Sequence, residues 1–441
     1  MHRSVRLRCW LKKRGKSLLL DQPNLLRGVS RTAFDMAVRC ADPAQAVQAE
    51  LSRAPFAPLQ EGAKTYCIAM GKAAPAMLRP FCQSRSGPME TLCVTHRENT
   101  EVVTADWVFR AGHPVPDEEG LRAAAAICDM LERAEAQDRV IALISGGGSA
   151  LVPAPPNGVS LADKQTLNRL LLQSGLGINA MNLIRQQVSD LKGGGFLRRA
   201  APAQVTALIL SDVIGDDLRA VASGPTVAPL GTAQEALQLI AEAGITDRLP
   251  QSILMHLSRE GAAPEVGLAD NRLIGSNRQS VEAAAHELGG RFDVTVADAP
   301  LTGDVRDAAD RIFRSSIERA TQHGPQALVW GGETTVRVRG NGKGGRNQEL
   351  ALRVAALADA QPIDRHWVFL SGGTDGRDGP MDSAGAVVDQ ATCARIRQHG
   401  RAPARFLECN DSYAALALSG DHLMTGATGT NVADIQIMLI G

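Results

Sequence analysis

The sequence predicts an α/β protein with two domains, and three observations support this fold class. The chain has 441 residues, which at roughly 100–200 residues per domain corresponds to two or three domains. Short apolar segments alternate with segments of helical periodicity along most of the chain, as the strands and helices of a covered parallel sheet do. A Pro/Gly-rich stretch that begins at Ser258, SREGAAPEVGLADN, interrupts this rhythm and is typical of a linker.

The first predicted domain covers residues 28–266. Helical spacing runs from about Gln22 to Leu51, and short strands are expected in KTYCIAMG, ETLCVTH, RVIALIS and QVTALILSD. These strands are almost continuously apolar, which is typical of a parallel sheet with helices on both faces. We therefore expect a three-layer domain with a mainly parallel sheet.

The second predicted domain covers residues 267–441. The segment LIGSNRQSVEAAAHELGG restarts the strand and helix rhythm, and strands follow in FDVTVAD, HWVFLSGG and IQIMLIG. ALVWGGETTVRVRG is expected to hold two short strands, the second an exposed antiparallel one because TTVRVRG alternates in polarity. The second sheet is therefore predicted to be mixed.

Composition excludes several classes of function. The chain carries 47 basic and 47 acidic residues, and this balance argues against a general binder of nucleic acid or of membrane surfaces. No apolar run reaches the ~18–20 residues of a membrane span. The eight cysteines form no Cys-x-x-Cys pair, so we expect reduced thiols in a cytoplasmic protein. Residues 1–27 form a basic extension, which matches a basic tail or an early start codon better than a transit peptide.

A glycine-rich loop follows one buried strand. In LISGGGSAL, an apolar run ends directly before Ser145, Gly146, Gly147, Gly148 and Ser149. Such a flexible loop costs folding free energy, and a bound anion held by its backbone N–H groups compensates for that cost. We predict that this loop binds phosphate.

Charged side chains occupy other loops after strands. Lys72 follows a strand and precedes a helix in MGKAAPAM, and Asp212 ends a strand in LSDVIGDD. Lys343 and Arg346 lie among glycines before a helix in GNGKGGRNQEL, where cations and a helix start together favour an anion. Residues 340–345 also match a dinucleotide fingerprint, but the preceding strand is Arg/Thr-alternating and no acid lies at the end of a following strand about 20 residues on.

Further polar residues extend this set. Glu333 lies in GGETTV, and SGGTDGRDGPMDSAG contains Thr374, Asp375, Asp378 and Asp382. The aspartates order a cation or substrate hydroxyls, or they only form turns. His113, in the Pro-containing loop AGHPVPDEEG, is expected to stabilise the fold or to support a neighbouring site residue rather than to act as a base. Cations, strand-end carboxylates and a glycine loop together are what phosphoryl transfer requires.

Eight motifs follow one another along the chain: GKAAPAM, AGHPVPDEEG, LISGGGSALVPAPP, QQVSDLKGGGF, ILSDVIGDDLRAVASGPT, GGETTVRVRGNGKGGRNQELAL, LSGGTDGRDGPMDSAGA and TGTNVADIQIMLI. Together they resemble the type II glycerate kinases, two-domain proteins with a MOFRL-type C-terminal domain. The resemblance runs from about Leu25 to the C-terminus. It implies a Rossmann-like first domain, an active site in the cleft between the domains, and Mg²⁺- and ATP-dependent phosphorylation of D-glycerate to 2-phosphoglycerate.

The resemblance places Lys72, Asp212 and Arg346 at the active-site positions of the family. We assign Asp212 to accept the hydroxyl proton or, with Asp375, to hold Mg²⁺, and Lys72 and Arg346 to neutralise the phosphoryl group or grip the carboxylate. The remaining expected contacts are Ser145, Gly146, Gly147, Gly148, Ser149, Lys343, Gly344 and Gly345 for the nucleotide, and Glu333, Asn347, Thr374 and Asp375 for glycerate.

Two other functions remain open at this point. Some members of the family were labelled hydroxypyruvate reductases, so a nicotinamide-dependent reductase is the main alternative. A sugar-acid sensor that binds without turnover is the other. The expected partners are glycerate and a nucleotide, with neither nucleic acid nor a membrane involved. The sequence leaves the oligomeric state open, and a homodimer is one option.

Overall fold

The computed structural model describes residues 23–84, 87–259 and 266–441. They form two compact units: residues 43–276, here called the parallel unit, and residues 23–42 with 277–441, here called the mixed unit. Of the predicted basic extension, residues 1–22 lie outside the described residues. Across the described ranges, no helix combines the length and the apolar character that crossing a membrane requires.

Helices are numbered along the chain from the first described one. They are α1 (Pro23–Cys40), α2 (Pro43–Arg53), α3 (Ala74–Gln83), α4 (Glu118–Glu132), α5 (Gly148–Leu151), α6 (Leu161–Gln173), α7 (Ile178–Gln187), α8 (Gly195–Ala200), α9 (Ala233–Glu242), α10 (Gln251–Leu257), α11 (Asn277–Leu288), α12 (Val305–Ala320), α13 (Arg346–Ala360), α14 (Thr392–Arg397), α15 (Pro403–Glu408) and α16 (Ser412–Ser419).

The sheet of the parallel unit consists, within the described residues, of six strands that all pair in parallel. They are β1 (Thr65–Met70), β2 (Met89–His96), β3 (Trp107–Ala111), β4 (Arg139–Ile144), β5 (Gln204–Leu210) and β6 (Asp270–Gly275). The order across the sheet is β3-β2-β1-β4-β5-β6, the order of a doubly wound nucleotide-binding fold. The predicted parallel, Rossmann-like sheet is confirmed.

The mixed unit has a sheet in the order β12-β11-β10-β13-β9-β7, and β8 also pairs with β9. Its strands are β7 (Asp293–Val296), β8 (Leu301–Asp304), β9 (Gln326–Thr335), β10 (Trp367–Gly373), β11 (Gly385–Asp389), β12 (His422–Leu423) and β13 (Asp434–Ile440). β7 and β8 run parallel to β9, and the other pairs are antiparallel. The predicted mixed sheet is confirmed, although the TTVRVRG alternation is not its source, since β9 is one strand that ends at Thr335.

The predicted boundaries, 28–266 and 267–441, differ from the observed division. Strand β6, expected to open the second domain, pairs with β5 in the parallel unit. Helix α1 belongs to the mixed unit, where Leu26, Phe34 and Ala37 are fully buried in a cluster with Val281 and Leu370. An apolar stripe shows that a segment is buried, but it does not show which surface covers the segment. The pattern alone therefore could not assign these two elements to a unit.

Candidate active site

The loops after β1 and β4 lie side by side at the carboxyl edge of the parallel sheet. From these neighbouring strands the sheet extends through β2 and β3 on one side and through β5 and β6 on the other. Open α/β sheets bind ligands at such a switch point. The N–H of Ser145 donates to Met70 O (3.0 Å), and the N–H of Lys72 donates to Gly146 O (2.9 Å). Two loops that the sequence predicts to contact phosphate are therefore joined.

Glycines allow a third loop to reach the same place. A Cβ on Gly146 would overlap the carboxylate of Asp212, the second residue after β5. A Cβ on Gly147, which has φ +85°, would stand 3.0 Å from Lys72 Cγ. The structure thus brings together Lys72, residues 145–149 and Asp212, which we call the strand-end group. Larger side chains at either glycine would separate its members.

His113 lies beside this group, in agreement with the expectation that it supports a site residue or the fold rather than acting as a base. A Cβ on Gly147 would be 3.4 Å from His113 Cδ2. Burial, followed by the nearby Lys72 cation, lowers the pKa of His113. The imidazole is therefore neutral near pH 7 and adds no positive charge to the strand-end group.

Ser149 is held by two residues that sequence reasoning did not single out. Its hydroxyl lies 2.9 Å from Ser223 Oγ, and its carbonyl oxygen accepts a hydrogen bond from Lys192 Nζ (2.8 Å). Lys192 is only 5% exposed, and burial lowers its pKa to about 7. Only the segments SDLKGGGF and ASGPT, which belong to the motifs of the resemblance, pointed toward these residues.

In the mixed unit, Arg346 begins α13 and is paired with two carboxylates. Its Nε donates to Asp434 Oδ2 (2.6 Å) and its Nη2 to Asp434 Oδ1 (2.9 Å), while Nη1 lies 2.9 Å from Glu333 Oε1. Burial raises the pKa of Asp434 to about 6, so this carboxyl is ionised at neutral pH. Burial acts against the Arg346 charge, yet the bonds and charge of Asp434 outweigh it and raise the pKa of Arg346. Arg346 is an oriented guanidinium rather than a bare cation.

The start of α13 is occupied by a carboxylate of the protein. The N–H groups of Asn347 (3.0 Å) and Gln348 (2.8 Å) donate to the two oxygens of Asp378. A Cβ on Gly345 would overlap the same carboxylate. The expectation that this helix start is open to a ligand anion is corrected, because Asp378 takes the position that such an anion would occupy.

The glycine-rich loop before α13 is also tied to its own unit. The N–H of Gly342 donates to Cys409 O (2.9 Å), and that of Lys343 to Asp411 Oδ1 (3.0 Å). Lys343 O accepts from the N–H of Tyr413 (2.9 Å). N–H groups of the dinucleotide fingerprint at residues 340–345 are therefore bonded to the protein itself. The nucleotide contacts assigned to Lys343, Gly344 and Gly345 remain predictions.

The other predicted substrate contacts make hydrogen bonds within the mixed unit. Asn347 Oδ1 accepts from Ser371 Oγ (2.6 Å), and the fully buried Thr374 donates its hydroxyl to Ala433 O (2.7 Å). Asp375, which is partly exposed, accepts from the N–H of Arg377 (3.0 Å). The Thr374 hydroxyl is thus bonded within the mixed unit, and the roles of Asn347, Thr374, Asp375 and Glu333 toward substrate remain predictions.

Among the described residues, no group of three or more His, Cys, Asp or Glu side chains is arranged to hold a metal ion. Mg²⁺ in kinases is usually bound by one or two protein carboxylates together with substrate phosphates and water. Asp212, at a strand end beside the glycine loop, fits that limited donor set. The predicted second ligand, Asp375, belongs to the other unit, and its part in a metal site remains a prediction.

Comparison with known families and proteins gives a consistent result. Residues 29–258 match a domain of unknown function, DUF4147, and residues 326–434 match the MOFRL family. A D-glycerate 2-kinase of Thermotoga maritima is 38% identical over 85% of this chain and 90% of its own length. A protein of Agrobacterium vitis, 37% identical over 94% of both chains, carries the provisional name hydroxypyruvate reductase.

A solved structure supports the same relationship. The crystal structure of glycerate kinase from Thermotoga maritima superposes with a TM-score of 0.87 and 34% sequence identity. The superposition covers 95% of this chain and 100% of the other. Likeness of sequence and likeness of fold therefore extend over both units.

Proposed function

We propose that this chain, which belongs to the family of the D-glycerate 2-kinases, transfers the γ-phosphoryl group of ATP to the 2-hydroxyl of D-glycerate. The products are 2-phosphoglycerate and ADP. The observation that carries the proposal is the strand-end group, in which Lys72, the glycine loop and Asp212 meet at the switch point of a parallel sheet. A cation, backbone donors and a carboxylate are the groups that phosphoryl transfer uses.

Within the strand-end group, each member has a separate task. The backbone N–H groups of residues 146–149 bind the nucleotide phosphates, as donors of a glycine nest do, whereas that of Ser145 is bonded to Met70 O. Lys72 neutralises charge on the phosphoryl oxygens. Asp212 accepts the proton of the 2-hydroxyl while the hydroxyl oxygen forms its bond to phosphorus. The bond from phosphorus to the ADP oxygen breaks, and its electrons stay with ADP.

Arg346 is assigned to the carboxylate of glycerate. Five N–H donors are available on a guanidinium, of which Asp434 accepts from two, while Glu333 Oε1 forms an ion pair with Nη1. Among the described residues, the N–H groups of Arg346 that Asp434 does not bind are therefore the donors proposed for a ligand. The bidentate contact with the buried Asp434 keeps the guanidinium plane fixed, so binding needs little reorganisation.

Mg²⁺ is the metal that this reaction class uses, and Asp212 is the residue that we propose as its protein ligand. When bound there, Mg²⁺ would supply positive charge that offsets the negative charge of the phosphate groups. Asp375 is a second candidate ligand. The residues of the chain perform the binding and proton-transfer steps described above.

A reductase is the second candidate, because one relative carries that name. A nicotinamide site in this fold requires a glycine fingerprint in the first βα turn. That turn holds Lys72 instead, and the fingerprint at residues 340–345 is tied to segment 409–413. The contacts of both loops therefore favour the kinase.

The site assignment is tested by four variants assayed for ADP formation with D-glycerate. Lys72→Ala and Arg346→Ala are expected to lower kcat/KM by roughly 10²–10³-fold, as loss of one preorganised charge does. Asp212→Asn is expected to abolish turnover with the fold retained. Asp217→Asn is the matched control, because Asp217 lies in the same loop and pairs with Arg219. Near-normal turnover in folded Lys72→Ala and Asp212→Asn would remove the strand-end group from the mechanism.

Two further proposals concern the setting of the enzyme. We propose a cytoplasmic location, since the seven cysteines of the described residues are free thiols. We also propose a homodimer, which light scattering would distinguish from a monomer of 46.7 kDa.

A further inference from the structure

A cavity of about 380 Å³ lies within the mixed unit beside Arg346. The end of β9, the glycine-rich loop and Asn410 form its walls. Its volume falls within the range of sites for small ligands. Arg346 and Gly344 supply polar surface, and Val336 and Val338 supply an apolar wall. Glu349 also lines the cavity, but its carboxylate is paired with Arg353 (2.7 Å). The Arg346 guanidinium and the apolar wall are therefore the features that suit a small organic anion.

Thr334 lines this cavity and differs from its neighbour on β9. Its side chain is 2% exposed, and Oγ1 is buried with no hydrogen-bond partner in the part of the chain that the structure describes. By contrast, Thr335 donates its hydroxyl to Gly303 O (3.1 Å). Buried hydroxyls are normally hydrogen-bonded because desolvating one without a partner destabilises the fold. The hydroxyl of Thr334 therefore needs an explanation.

The sheet register places Thr334 on the same face as Asp434, the residue that orients Arg346. Asp434 on β13 is directly paired with Gly332 on β9, and side chains at directly paired positions share one face. Thr334 follows Gly332 by two residues, so it returns to that face. The unpartnered hydroxyl and the guanidinium consequently belong to one row of the sheet and to one cavity.

We propose that the Thr334 hydroxyl donates a hydrogen bond to an oxyanion that Arg346 binds in this cavity. The oxyanion is either the carboxylate of glycerate or a phosphate of ATP. A hydroxyl that rotates freely can meet either group, and its uncompensated burial in the free protein makes the ligand the missing partner. This inference rests on the proposed function, because it names a binding residue for that reaction.

Thr334→Val tests the inference, since it removes the hydroxyl and keeps the shape. Loss of one bond to a bound charge is expected to raise one KM about tenfold or more, about 1.4 kcal/mol of binding free energy, with little change in kcat. A rise for D-glycerate identifies the carboxylate as the ligand, and a rise for ATP identifies the phosphate. The melting temperature of the free variant is expected to rise, because an unsatisfied polar group has been removed. Thr334→Ser, which keeps a hydroxyl, is expected to restore KM.

Ser383→Ala is the matched control. Ser383 Oγ is likewise buried without a partner among the described residues, and Ser383 does not line the cavity. This variant should leave both KM values unchanged. Unchanged KM values in folded Thr334→Val would overturn the inference. A tenfold rise of either KM in Ser383→Ala would overturn it as well. If the wild type makes no phosphoglycerate, the proposed function fails. In that case, the rise in melting temperature that glycerate or ATP produces in the wild type is compared with the rise in Thr334→Val. This comparison tests the hydroxyl separately from turnover.

Discussion

Gly146→Ala is the perturbation that most sharply tests the close approach within the strand-end group. An alanine Cβ would stand 2.0 Å from Asp212 Oδ2, whereas real Cβ atoms keep at least 3.0 Å from such neighbours. The carboxylate must therefore move by about 1 Å. A misplacement of that size in a catalytic group can cost ~10²-fold in rate. We expect kcat to fall about 100-fold, which corresponds to about 2.7 kcal/mol in activation free energy.

The assay is ADP release at saturating glycerate and ATP, with the melting temperature measured in parallel. Gly267→Ala is the matched control, because a Cβ at this exposed position of the parallel unit meets nothing within 4 Å. A double variant separates the carboxylate clash from a general effect on the loop. In an Asp212→Ala background, Gly146→Ala should destabilise the fold much less than it does alone. A folded Gly146→Ala enzyme with kcat within about threefold of the wild type would show that the position of the Asp212 carboxylate beside this loop does not matter for turnover.

Three further predictions concern stability. The pKa of Lys192 is lowered to about 7 by burial from an ordinary 10.5, so between these values the unfolded chain binds a proton that the folded protein lacks. The free energy of unfolding should rise with pH in that window, and Lys192→Met should remove up to ~1.4 kcal/mol per pH unit of this slope in urea titrations. Arg27 bonds to Asp389 (2.6 Å) and Asp421 (2.6 Å), which are both buried. Arg27→Met should lower the free energy of unfolding in urea by about 1–3 kcal/mol. This loss is smaller than that from breaking a fully buried ion pair, because Arg395 stays bound to both carboxylates. An unchanged urea midpoint would contradict this prediction. Asp378→Ala should cost about 2 kcal/mol by removing the cap of α13, and an unaltered unfolding curve would show that the cap contributes nothing.

The sequence was sufficient to predict the parallel sheet and most of the strand-end group. Parallel strands bring their carboxyl ends to one edge, so the loops with Lys72, Ser145 and Asp212 were expected to meet once their strands were recognised. This expectation came from the sequence because each of these loops directly follows an apolar strand. The close contact between Gly146 and Asp212 was not predictable, since strand order is not written in a local pattern.

The carboxylates that bind residues at the start of α13 could not be predicted either. Asp378 and Asp434 lie 31 and 88 residues away from the α13 residues that they bind. A charge pattern shows which groups need partners, while the pairing depends on how β10 and β13 are placed in the mixed sheet. The start of α13 therefore looked open to a ligand anion, although the protein supplies its own carboxylate.

Phosphorylation of the 2-hydroxyl of D-glycerate by this chain is tested most directly by identifying the product with ³¹P NMR. The purified protein is incubated with D-glycerate, ATP and Mg²⁺, and separately with hydroxypyruvate and NADH or NADPH. We expect 2-phosphoglycerate and an equal amount of ADP in the first reaction, with no nicotinamide oxidation in the second. Nicotinamide oxidation without any phosphoglycerate, or phosphorylation at the 3-hydroxyl, would contradict this expectation.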